Sequence, residues 1–225
     1  MEILYADDVL VAVSKPGGLA VHRGWDRSRD NALARVRDTV GRYVWPLHRL
    51  DRAASGVLLF ALDRDAARVM HDKFAHGGVR KRYLALVRGK TPEEGVIDHP
   101  LRRTANGPPV EAVTEFNRVC AVDRGDLERI YSLVEARPRT GRLHQIRRHL
   151  QHISHPIIGD VRYGRGEHNR LFRERFGLHR LFLHACEASF EHPCSGQVVT
   201  VRAALADDLH GVLRALGGCP PWSET

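Results

Sequence analysis

In the stretch HRLDRAASGVLLFA, residues 48–61, one carboxylate, Asp51, stands between Arg49 and Arg52, and a glycine then opens a continuous apolar run. A loop residue directly ahead of a buried strand is fixed by the strand and still open to a substrate, which is where a functional carboxylate belongs. An ionised carboxylate, the ordinary state of aspartate at neutral pH, suits a nucleophile and argues against a general acid. The plainer reading of the same residues is a surface ion pair.

Other chemistries fit less well. Ser55 lacks the Gly-x-Ser-x-Gly elbow that would expose a nucleophilic hydroxyl. His144, His149, His152 and His155 crowd one segment, but no acidic ligand accompanies them in HLQHISHP. His184, Cys186, His192 and Cys194 are zinc-ligand types, yet single-residue gaps within each pair suit the alternation of a strand better than a metal knuckle. No metal is expected.

The charge points to a polyanionic partner. Lys and Arg number 35 against 27 Asp and Glu, for a net charge of +8. Two acid-free clusters carry much of the excess: Arg80, Lys81, Arg82, Arg88 and Lys90, then Arg137, Arg139, Arg142, Arg147 and Arg148. The N-terminus is acidic rather than basic, and no window approaches the roughly 18 apolar residues of a membrane span. These features predict a soluble cytoplasmic chain with no membrane partner, and its four cysteines, without a CxxC pair, are expected to be reduced.

The elements that must position Asp51 can be read from periodicity. Residues 3–15 read as two short strands with a turn at Asp7 and Asp8, and PGGLAVH as a turn into another short strand. A helix is expected over 31–44 with Asp30 as its N-cap, ending before Pro46. GVLLFAL is a strand, residues 63–76 a helix capped by Asp63 or Asp65, and RKRYLALVRGK a strand. After a turn-rich stretch come strands through Val110–Phe116 and Tyr131–Glu135, a helix from about Leu143 to His152, a basic insertion over 163–180 and two closing strands. No linker divides the chain, so residues 1–225 are expected to form one domain.

The motif text resembles the RNA pseudouridine synthases of the ribosomal large-subunit synthase A type, whose signature is HRLD. VAVSKPGGLAVH, RKRYLALVRG and RTGRLHQIRRHL followed by HPIIGD are similar to the family's other motifs, in order, from about Ile3 to Leu205. The resemblance implies an α+β catalytic domain with a bent, mixed, mostly antiparallel sheet and packed helices; because the motifs begin at the start of the chain, no separate N-terminal RNA-binding domain is expected. It implies a cofactor-free isomerase that turns uridine into pseudouridine, with transfer RNA the favoured partner, ribosomal RNA the second, and the chain monomeric. Asp51 would be the nucleophile, Tyr83 the wall for a flipped base, Arg142 the ionic partner of Asp51, and Arg49 the residue that displaces the uridine. Lys81, Arg82, Arg147 and Arg148 are expected to contact phosphates. The family commonly has Thr where this chain has Ala54.

Overall fold

A computed structural model describes residues 1–23, 30–104, 106–123, 125–127 and 129–218. The chain forms two compact units, Met1–Lys81 with Ala185–Ala204, and Arg82–His184 with the segment from Leu205 onward.

The first unit opens with a hairpin of β1 (Ile3–Ala6) and β2 (Leu10–Lys15). Asp7 shapes its turn by accepting from the backbone N–H groups of Val9 and Leu10. Next come α1 (Ala32–Val40), the short β3 (Trp45–Pro46), β4 (Ser55–Ala61) and α2 (Arg64–Ala75). Antiparallel pairing joins β2 to β4 and β3 to β4. β11 (Leu183–Glu191) follows β4 in the sheet and pairs antiparallel with β12 (Val198–Arg202). Every residue of β4 is buried, and Val57, Leu59 and Ala61 meet Leu10, Ala12, Met70 and Phe190 in one apolar core. Gly56, at φ +111°, is required where β4 approaches β11, because a Cβ there would collide with the Ala185 carbonyl.

The second unit is built on the order β5-β10-β9-β6. These strands are β5 (Val79–Arg88), β6 (Glu94–Asp98), β9 (Val113–Asp123) and β10 (Ile130–Pro138), and each named pair is antiparallel. β7 (Leu101–Arg102) and β8 (Pro109–Val110) form a separate small ribbon. Helices α3 (Gln145–His152), α4 (Gly166–Phe176) and α5 (Asp207–Ala215) complete it. Phe172 of α4 meets the buried Tyr131 of β10 edge-to-face at 4.8 Å between ring centroids.

The α+β class and the mostly antiparallel strands are as the sequence predicts. Some local expectations are corrected. Asn31, not Asp30, caps α1 through Ala34 N–H, while Asp30 turns to Arg35; α1 ends at Gly41, which takes the left-handed conformation at φ 69°. PGGLAVH forms no strand, because the carbonyls of Ala20 and Val21 accept from the first N–H groups of α1. The basic insertion, to which the sequence reading assigns no element, holds a full helix, α4. Cys186 and Cys194 are free thiols, but Cys120 is disulfide-bonded, against the expected reduced state; Cys219 lies outside the described residues. Among the described residues no helix is long and apolar enough to cross a membrane.

Candidate functional site

Asp51 is half-buried and opens a turn closed by Ala54 N–H donating to its carbonyl at 3.0 Å. The turn is tied at both ends. Upstream, Leu47 N–H donates to Leu59 O, and Leu59 N–H donates to His48 Nε2 at 3.2 Å. Downstream, the fully buried β4 takes over at Ser55. A second loop, residues 16–19, is clamped against it: Gly18 N–H donates to Arg52 O, and Arg52 Nε returns a bond to Gly18 O, both at 2.8 Å. Lys15, with no exposed surface, sends Nζ to the carbonyls of Pro16 and Leu19 at 2.8 Å and of Arg52 at 3.3 Å. Three ammonium donors thus face three carbonyls of the two loops. Arg52 has a structural task here, and Ala54 is buried, which leaves little room for the hydroxyl of a threonine.

His48 stacks on Phe74 at 5.0 Å. Burial, with a lesser push from Lys81, drives its ring down to about 3, so it is neutral and uses Nε2 as an acceptor. Between pH 6.5 and about 3 the unfolded chain holds a proton that the folded chain refuses. Stability is therefore expected to fall as pH drops through that window, by up to about 1.4 kcal/mol per unit from this ring. Urea melts at stepped pH would show the slope, and His48→Gln, which keeps an acceptor without the charge, should flatten it.

In the second unit Tyr83, 9% exposed, sits on β5 opposite Ala136. Its neighbour Arg82 does not stand free: it meets the buried Glu135 of β10 through Nε at 2.9 Å, and Arg137 holds the other oxygen at 2.7 Å. Although burial opposes it, the two guanidiniums hold the Glu135 carboxyl below its ordinary range.

Arg142 is exposed at the turn into α3, and its Nε donates to Glu111 O at 2.9 Å. The buried Gln145 organises this turn. Its Oε1 accepts from Arg142 N–H at 3.0 Å and Thr140 Oγ1 at 2.7 Å, while its Nε2 donates to Val113 O and Thr114 Oγ1. His144, between them, adopts φ 53°, a strained conformation for a residue other than glycine. Gln145→Leu strands several buried polar groups and is expected to cost on the order of 3 kcal/mol in denaturant unfolding, with turnover falling further than the folded fraction.

The remaining predicted contacts fall into two kinds. Arg49 is exposed. Lys81 is half-buried with Nζ 5.9 Å from the Phe74 ring centroid, and burial lowers its ammonium below the usual range. Arg147 forms a bidentate pair with Asp160, whose side chain has no exposed surface, at 2.7 and 2.8 Å. Arg148 donates to Arg102 O at 3.0 Å. Arg82 and Arg147 are thus already engaged by carboxylates within their own unit. His149 is occupied by Thr114 Oγ1 and His99 O, a structural role. His192 lies 2.9 Å from Asp7 and accepts from the N–H groups of Cys194 and Ser195, a turn-shaping role. Sequence reasoning missed Lys15, His48 and Gln145, whose partners are largely backbone atoms.

Residues 9–152 match the RNA pseudouridylate synthase family. A tRNA pseudouridine synthase C of Vibrio cholerae is 40% identical across 100% of this chain and 98% of its own length. Another, from Haemophilus ducreyi, is 42% identical over 91% of each. The solved structure of human RNA Pseudouridylate Synthase Domain Containing 4 superposes with a TM-score of 0.76 at 25% identity, covering 96% of this chain and 93% of that one. With the HRLD carboxylate fixed ahead of a buried strand and the family match running from β2 to the end of α3, the chain belongs to the RNA pseudouridylate synthase family of isomerases.

Proposed function

We propose that this enzyme isomerises a uridine of transfer RNA, with Asp51 as the nucleophile, and that it belongs with the ribosomal large-subunit synthase A type. The observation that carries the reading is the clamped Asp51 turn: Lys15 and Arg52 hold it from the 16–19 loop while β4 anchors its far end. The names of the Vibrio and Haemophilus relatives support transfer RNA as the substrate.

The reaction breaks the N1–C1′ bond, turns the uracil and joins C5 to C1′. N1 gains a proton and C5 loses one, so composition is unchanged and no redox partner is needed. A carboxylate acting as nucleophile divides this into two easier steps, and exclusion of water retains the detached uracil. A uridine inside a stem must first be flipped out, at a cost of a few kcal/mol, onto an aromatic or apolar wall. Tyr83 and Arg142 keep the roles that the resemblance implies, and Arg49, exposed beside Asp51, keeps its place among the RNA contacts.

Because C5 loses its hydrogen, unmodified transfer RNA carrying 5-tritiated uridine should release tritium when incubated with the purified chain. Salt-sensitive binding without release would instead indicate an RNA-binding protein that performs no isomerisation.

A further inference from the structure

A cleft of about 360 Å³ in the second unit is lined by Arg88, Arg162, Arg165, Ser154, Gln151 and Tyr163, among others, and no carboxylate lines it. None of its three arginines pairs with an acid among the described residues. Nearby acids are otherwise occupied: Asp160 is buried against Arg147, and Glu167 turns to His168 Nε2 at 3.3 Å. Three arginines lining one concavity without an acid among its walls concentrate positive charge there, an arrangement that an anion relieves.

The cleft is also built rather than incidental. Asp160 accepts from the backbone N–H groups of Arg162 and Tyr163 at 2.9 and 3.0 Å, and Asn169 holds the Asp160 carbonyl at 2.9 Å. Gly164 N–H donates to that same carbonyl, and a Cβ at Gly164 would collide with it. The Tyr163 ring centroid lies 5.1 Å from the Arg147 guanidinium and 5.4 Å from that of Arg162. Its hydroxyl reaches His144 Nδ1 at 3.1 Å, two residues from Arg142. One wall of the cleft therefore touches the turn that carries a proposed site residue. α4 begins at this cleft with no side-chain cap, and the N-terminal end of its dipole adds to the positive field.

We propose that this cleft binds a backbone phosphate of the RNA substrate, a contact separate from the uridine itself. The proposal rests on the RNA reading above, but its test does not need base conversion. Binding of unmodified transfer RNA is measured by fluorescence anisotropy across a salt series for the chain and for Arg88→Ala/Arg162→Ala/Arg165→Ala. The triple variant should bind about tenfold more weakly at moderate salt, with the log–log salt slope reduced by about 1, since each phosphate contact contributes about 0.7–0.9. Ser154→Asp keeps the arginines, suits the left-handed φ of 66° at that position, and should weaken binding in the same way. Slopes unchanged in both variants would overturn the proposal. Inorganic pyrophosphate that raises the melting temperature of the chain but not of the triple variant, with RNA slopes unchanged, would assign the cleft to a small free anion and also overturn it. Failure of tritium release would sink the proposed reaction and leave a changed slope standing.

Discussion

Asp51→Asn is expected to lower tritium release from transfer RNA by on the order of 10⁴-fold, the scale on which loss of one member of a nucleophilic machinery is felt. The substitution preserves size and removes only the charged, nucleophilic oxygen. Asp51 is half-buried in a turn held by its backbone carbonyl, which Asn retains. Unfolding free energy should therefore change by less than about 1 kcal/mol, and transfer RNA binding should persist. A variant that loses binding along with turnover would point to a structural carboxylate instead.

Lys15→Met should damage both stability and rate. The side chain stays unbranched and is one atom shorter, but the carbonyls of Pro16, Leu19 and Arg52 lose a buried donor. Desolvated acceptors left unpaired cost about 1–3 kcal/mol each, so a loss of about 3 kcal/mol after partial rehydration is expected. The rate should fall about a hundredfold in the fraction that remains folded, because the clamp fixes the loop that carries Asp51 and small misplacements are expensive. Urea unfolding and single-turnover rates, each corrected for folded fraction, separate the two effects. A rate loss no larger than the folded fraction accounts for would confine Lys15 to the core.

Much of this arrangement was legible in the sequence because the signals are local. GVLLFA is apolar at every position, and the structure buries all of β4; Asp51 immediately precedes it. Asp63, one of the two caps the sequence allows, caps α2. The failures arise where distant backbone decides. PGGLAVH has the apolar content of a strand, but its carbonyls serve α1 and Lys15. Charges in 163–180 obscured the apolar side of α4, where Phe172 packs on Tyr131. α5 escaped notice because Gly211 interrupts its pattern and Ala206 offers no side-chain cap.

The site shows the same division. Side-chain types and motif order identify Asp51, Tyr83 and Arg142 as candidates, whereas Lys15, His48 and Gln145 act through hydrogen bonds to groups up to 37 residues away. Charge alone does not show how each arginine is engaged: Arg82 and Arg147 meet the buried acids Glu135 and Asp160, while Arg162 and Arg165, in a segment read only as basic, line an acid-free cleft.

The most direct measurement is a chemical map of pseudouridine in unmodified transfer RNA after incubation with the chain and, in parallel, with Asp51→Asn. New pseudouridine with the former and none with the latter is the predicted result. Conversion that survives the substitution would contradict the assignment of Asp51 as the nucleophile.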